Sequence, residues 1–422
     1  MLKKKAEKII DVRLTSKDEN WLRFKLSYSR AMEKYFNTDV FFVKYEENIR
    51  DVDDSILYIP AIANIAPVAW AAGAGLHVES LDRTFLDSLG IVKNIMHNMY
   101  PGFSFSGDIH ADKVVENAFK GKNVSMLFTS GLDSTTTYIR HRGEKPCLFS
   151  FKTYTPFNPP LQTLITGHIR RFSEEEGVPV SFYDSNLMIF LNERQLLEDF
   201  GRYLPQPSWW ASVQHGMGLL GLCAPLTAHR GANKVYIAST ANKNMMKNRG
   251  DPWGSHPDID GNVSWADVKV VHDSIEWSRQ EKIGFAVKKY IEDTGTYPLL
   301  IVCNDPDRPI RYNCSRCEKC GRTVAGLVLE GIDPNRCGFN VDDRTFGELH
   351  KKIVNRELHF TKNNRNTWKD IQDRIPLTGV VDMYRSGEFF EWLRAYRIPG
   401  VEYPKTNRFQ TILEKLVPFQ KI

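Results

Sequence analysis

The stretch Asn123-Val-Ser-Met-Leu-Phe-Thr-Ser-Gly-Leu-Asp-Ser-Thr135 decides how the chain reads. Its first six residues form a short apolar run, which predicts a buried strand. The loop Thr129-Ser-Gly-Leu-Asp-Ser134 follows, and the spacing beyond it predicts a helix to about His141. A strand that runs through a tight loop into a helix suits an anion. The first N–H groups of the helix lack intrahelical partners, and the dipole is positive there. Gly131 lets a phosphate approach the backbone closely. Thr129, Ser130 and Ser134 bring hydroxyl donors. Asp133 would repel a phosphate unless a cation bridges the two, which makes Mg2+ the natural companion of a bound nucleotide. Ser, Gly and Asp are also ordinary turn and N-cap residues, so the flanking strand and helix carry the reading.

Beyond the loop, residues 147–152, 178–183, 234–238 and 269–271 read as strands. Residues 161–176, 192–203, 209–227 and 277–291 read as helices. This alternation predicts an α/β fold with a parallel sheet and helices on both faces. Ligands of such sheets sit beyond the carboxyl ends of the strands, where Thr129 and Ser239 fall. Before the loop, residues 39–45 and Ser55-Ile-Leu-Tyr-Ile59 read as strands and 86–99 as a helix. The apolar stretch 59–76 is interrupted by Pro60, Asn64 and Pro67, and reads as a buried connection and helix, not a membrane span. Three regions result: an N-terminal α/β accessory domain (1–120), an α/β domain with the strand–loop–helix and a cysteine cluster (121–340), and a mainly helical, basic region (341–422). No G-x4-G-K-[ST] loop occurs. Gly216-Met-Gly-Leu-Leu-Gly221 falls within a helix and reads as close helix packing.

The 422 residues are 42% hydrophobic and 25% charged, with a net charge of +5. That mild excess fits an anionic ligand such as ATP and leaves nucleic acid open as a partner. Met1-Leu-Lys-Lys-Lys-Ala-Glu-Lys8 is charged with no apolar run after it, so a cytoplasmic protein is expected. Seven cysteines, an odd number, argue against a disulfide framework. Cys303-x10-Cys314-x2-Cys317-x2-Cys320 supplies four thiolates for a tetrahedral Zn2+. An iron–sulfur cluster uses the same number, but the C-x3-C-P ending of bacterial ferredoxins is missing. Cys147 and Cys223 read as core thiols.

Phe128-Thr-Ser-Gly-Leu-Asp-Ser-Thr-Thr136 resembles the S-G-G-x-D-S loop of PP-loop ATP pyrophosphatases, with Thr129 at the first Ser and Ser130 at the first Gly. Such a loop followed by the cysteine cluster resembles the 7-cyano-7-deazaguanine synthases (QueC-like proteins), in which an Arg, here Arg322, follows the last Cys. Ile237-Ala-Ser-Thr-Ala241 is similar to their second nucleotide loop, and Ser278-Arg-Gln-Glu-Lys-Ile283 to the helix start after their last strand. The resemblance spans residues 122–338. It implies an adenine-nucleotide-hydrolase-like sheet with a zinc knot. ATP would be held by Thr129, Ser130, Gly131, Leu132, Asp133, Ser134, Thr135, Lys152, Ser239 and Thr240. Asp133, Ser134, Arg279 and Lys282 would be catalytic. The implied reaction adenylates a carboxylate such as 7-carboxy-7-deazaguanine, and ammonia or an amine displaces AMP. Some relatives act in antiphage defence and join a deazaguanine to a protein, so a protein partner encoded nearby is an expectation, as is a homodimer. A sulfur transferase or amidotransferase acting on tRNA or a sugar, and a non-catalytic nucleotide-binding scaffold, are the competing readings. In the irregular segment 242–270, His256 and Asp258 suit a substrate amine or a surface turn equally well. Trp253 and Trp265 suit stacking on a flat ring or core packing.

Overall fold

The computed structural model describes residues 8–152, 158–242, 252–303, 305, 308–358, 360–378 and 382–400. The strand expected at Asn123 forms as β6 (Asn123–Leu127) and lies inside an eleven-stranded sheet. The other strands are β1 (Ile9–Lys17), β2 (Trp21–Tyr28), β3 (Val40–Tyr45), β4 (Gly75–Asp82), β5 (Ile109–Val115), β7 (Cys147–Phe151), β8 (Val180–Ser185), β9 (Ala232–Ala238), β10 (Ser264–Trp265) and β11 (Val268–Asp273). Their order is β10-β11-β9-β6-β7-β8-β3-β2-β1-β4-β5.

The five strands β8, β7, β6, β9 and β11 pair in parallel throughout. Numbered along the chain, they stand 3-2-1-4-5, the order of doubly wound sheets. The order reverses at β6, and the crevice beyond its carboxyl end is where such sheets hold ligands. Both faces are covered. Along β7, Cys147, Phe149 and Phe151 join one core while Leu148 joins another; along β9, Val235 and Ile237 oppose Tyr236 in the same way. The first core takes in the helices Ile59–Ala72 and His215–Arg230, and the second takes Tyr138 and Ile169 from the helices Leu132–His141 and Pro159–Glu176. The glycines of 216–221 serve contact: a Cβ on Gly221 would meet Ala63 Cβ at 2.3 Å, and one on Gly218 would meet Asn64 Oδ1 at 2.5 Å.

The N-terminal strands extend this same sheet. β3 pairs antiparallel with β8, β2 and β1 continue antiparallel, and β4 and β5 add in parallel at the far edge. Alternation explains β2: Leu22, Phe24 and Leu26 are buried while Arg23 and Lys25 are exposed. Residues Ser55–Ile59, expected as a strand, are helical instead. Asp53 caps the helix Asp54–Leu57 by accepting from Ser55 N–H, and Pro60 sits in the first turn of Ile59–Ala72. These start signals override the β-branched composition. No helix among the described residues is long and apolar enough to cross a membrane.

C-terminal to the sheet, the helices Glu318–Leu329, Thr345–Val354, Lys362–Thr378 and Gly387–Ala395 share one core with Leu132, Ile283 and Leu300. This core packs the helices of residues 318–395 against the crevice at β6.

Candidate anion site and metal centre

The loop after β6 holds its own shape. Thr129 N–H donates to Ser134 Oγ at 3.2 Å, the two hydroxyls stand 3.2 Å apart, and Ser134 Oγ donates to Gly131 C=O at 3.3 Å. Ser130 has φ 56°, the left-handed region that favours glycine. Its buried hydroxyl donates to Leu299 C=O at 2.8 Å and lies 2.9 Å from His168 Nε2. The one hydroxyl proton is spent on Leu299, so Nε2–H of a neutral His168 donates to Ser130. Burial, helped by Arg171, holds that imidazole low, at about 4. The loop hydroxyls thus brace the loop. Gly131 caps the helix Leu132–His141, leaving its first N–H groups and positive dipole end facing the crevice. Leu132 is core, and Thr135 N–H closes the first turn on Gly131 C=O.

Four cations converge on Asp133. Arg279 Nη1 reaches Asp133 Oδ2 at 2.5 Å and Lys282 Nζ reaches Oδ1 at 3.2 Å, with Thr240 Oγ1 3.5 Å from Oδ2. Lys282 also donates to Ser239 C=O, and Ser239 N–H is bound to Asp273 C=O. Lys319 acts on the carboxylate through its charge. Arg322, buried nearby, feels both Asp133 and Arg279. Burial alone would raise the Asp133 carboxyl, but Arg279, Lys282 and Lys319 outweigh it and hold it well below the usual carboxylate range. Burial depresses Lys282, and burial with Arg279 and Arg322 brings Lys319 down to about 8. Arg279 Nη2 and Arg322 Nε and Nη1 are buried without a hydrogen-bond partner. Among the described residues, Arg322 has Glu318 as its ion-pair partner, at 3.8 Å. A small pocket lined by Leu132, Arg279, Gln280, Arg322, Thr323 and Thr367 opens at these groups. An uncompensated buried charge costs about 3–5 kcal/mol, so this cation excess calls for an anion.

Local sequence explains the convergence. Ser278 and Glu281 form a capping box that starts the helix carrying Arg279, and Lys282 opens a π-helical stretch, Lys282–Lys288. Such π turns recur at functional sites. Lys319 and Arg322 sit three residues apart on the first turns of Glu318–Leu329, one face of the helix. The three-residue spacing of Lys319 and Arg322 is visible in the sequence, but nothing local in it links this pair to the loop at 129–134.

Cys317 caps that same helix. Cys303 and Cys317 Sγ are 3.8 Å apart, Cys314 and Cys320 Sγ 3.9 Å, and all four sulfurs lie within 4.8 Å of one another. Tetrahedral zinc with Zn–S of about 2.3 Å needs an edge of about 3.8 Å, so the four thiols fit a zinc knot. Thiol hydrogen bonds from Cys303, Cys317 and Cys320 hold Cys314 well below the usual thiol range. Asn313 Oδ1 accepts from the N–H groups of Val302 and Cys303, and Ile301 N–H donates to Ser130 C=O at 2.7 Å. The cysteine cluster therefore braces both the loop and the helix that delivers Lys319 and Arg322.

The other expected residues make contacts of their own. Lys152 pairs with Glu46 at 2.5 Å, and Glu46 also binds Arg170. His256 Nδ1 accepts from Asp258 N–H at 3.1 Å, capping the short helix Pro257–Asp260, and Asp258 faces solvent. Trp253 packs edge-on against His215 at 6.2 Å, and Trp265 is core, donating to Thr227 Oγ1. Gly250 and Asp251 of this segment lie outside the described residues. Burial pushes Cys147 up to about 11 and Cys223 and Cys337 up to about 12, so none is an activated thiol. Comparison with protein-family models, with curated proteins and with solved structures found no match for this chain.

Proposed function

We propose that the crevice binds ATP and that the chain transfers the adenylyl group to a carboxylate, releasing pyrophosphate. The observation that carries this is the group of four cations, with buried N–H donors still unpartnered, at the loop where the sheet order reverses. Polyphosphate is the ligand class that such a group suits. The resemblance of residues 122–338 to the 7-cyano-7-deazaguanine synthases supplies the finer reading: a carboxylate of the 7-carboxy-7-deazaguanine kind, and an amide or nitrile as product. The low thiol reactivity outside the four-cysteine cluster favours it over sulfur transfer.

A carboxylate oxygen attacks the α-phosphorus, and the bond to the β,γ-pyrophosphate breaks. Arg279, Lys282, Lys319 and Arg322 hold the charge that grows on the leaving group, and the helix N-terminus adds its N–H donors. Ammonia or an amine then adds at the acyl carbon and AMP leaves, giving the amide; a nitrile takes a second ATP, which adenylates the oxygen of the primary amide so that it departs with AMP. Asp133 orients Arg279 and Lys282. Both its oxygens are already engaged by cations, so it does not fit as a magnesium ligand. Zinc in the knot would hold structure only. The test is phosphorus NMR of the zinc-loaded chain with Mg-ATP, 7-carboxy-7-deazaguanine and ammonium. AMP and pyrophosphate are expected, at a rate about 100–1,000-fold lower in Arg279→Ala. ADP and phosphate as the products would refute the reading.

A further inference from the structure

We infer that His77, His110 and Asp112, on the face of the sheet beside edge strand β5, form a second binding site for a divalent transition metal of the zinc class. Register places the groups: Asp11 of β1 pairs with His77 of β4, and His77 with His110 of β5. Asp112 follows two residues on, on the same face as His110. Both imidazole Nε2 atoms turn to one oxygen, Asp112 Oδ1, at 2.9 Å from His77 and 3.7 Å from His110. Zinc bonds of about 2.0–2.1 Å to nitrogen and oxygen imply ligand separations near 3.3 Å, which these two distances bracket.

A second observation points the same way. Asp11 Oδ1 is buried with no hydrogen-bond partner and stands 3.8 Å from Nδ1 of His77. A carboxylate behind the far nitrogen of a histidine is the usual support of a metal-bound imidazole, fixing its tautomer and orientation. An ordinary exposed ion pair explains one His–Asp contact but not two imidazoles on one oxygen with a carboxylate behind. The ligands come from two strands, so a bound ion would clip edge strand β5 to β4. His110 is 76% exposed, which leaves coordination positions open to water. The site is seven strand steps from β6, ~34 Å at ~4.8 Å per step, and independent of the crevice.

The test is a titration of Co2+ into the full chain with its cysteine site filled by zinc. One further equivalent is expected, with visible cobalt bands and no thiolate charge-transfer absorption. His110→Ala, a change at an exposed side chain, should abolish that equivalent without altering the circular dichroism. Asp11→Asn should retain it about 10–100-fold more weakly. No second equivalent, or unchanged uptake by His110→Ala, would overturn the site. Undiminished affinity in Asp11→Asn would overturn the positioning role of Asp11.

Discussion

Asp133 carries the electrostatics of the crevice, and its effect has a definite sign. Its folded carboxyl is depressed by Arg279, Lys282 and Lys319, so its contribution to stability is complete above the unfolded value of about 4. That contribution is lost as pH falls through the folded value. Asp133→Asn should therefore lower stability by about 3–5 kcal/mol near pH 7 and flatten the acid limb below pH ~4. Urea titrations at a series of pH values measure both, and parallel curves for the two proteins would contradict it. Ser130 poses a smaller balance. The left-handed backbone costs a serine about 1–2 kcal/mol, and its hydroxyl bonds each return about 0.5–1.5. Ser130→Ala, which keeps the strain and loses the bonds, should destabilise by about 1–3 kcal/mol. Ser130→Gly should cost clearly less by the same melts; equal losses would deny the strain. The strand–loop–helix around Thr129–Ser134 was legible through the apolar run before it and Gly131. The sequence could not show that the hydroxyls turn inward, because Leu299 and His168 are distant in the chain.

Among the elements, the cysteine cluster does more than close a loop. It caps Glu318–Leu329 through Cys317 and touches the loop Thr129–Ser134 through Ile301 and Leu299. Chelating zinc supplied to the four thiols, or making Cys317→Ser, should therefore loosen both at once. Hydrogen exchange is expected to rise together in residues 318–324 and 129–134, because binding of a structural metal is part of the folding free energy. Loss of protection confined to the cysteine segment would show that the two are not coupled. The cluster was legible from spacing alone, and so was the helix Arg83–Met99, through its apolar periodicity. Ser55–Ile59 misread because Ile56, Tyr58 and Ile59 outweighed the cap at Asp53 and the proline at 60, the better signals. The alternation in Trp21–Tyr28 is likewise present in the sequence.

For the whole molecule, one sheet joins what reads as two units. The joint is the pairing of Val43 with Ser185 and Tyr45 with Tyr183, a contact across some 140 residues that no local pattern encodes. The parallel half was legible because strand–helix alternation is local. The packing of Thr367 against the crevice was not, since it depends on how the helix Lys362–Thr378 folds back; its neighbour Trp368 donates to Glu318 Oε1 beside the knot. All of this converges on one place, the cations over Asp133, and on one claim, that they hold a polyphosphate. Calorimetric titration of ATP into the zinc-loaded chain tests it most directly. One molecule of ATP should bind per chain, with binding weakened at least about tenfold in Arg322→Ala, whose unpartnered N–H donors need no other role. No heat of binding, or equal affinity in the variant, would contradict the claim.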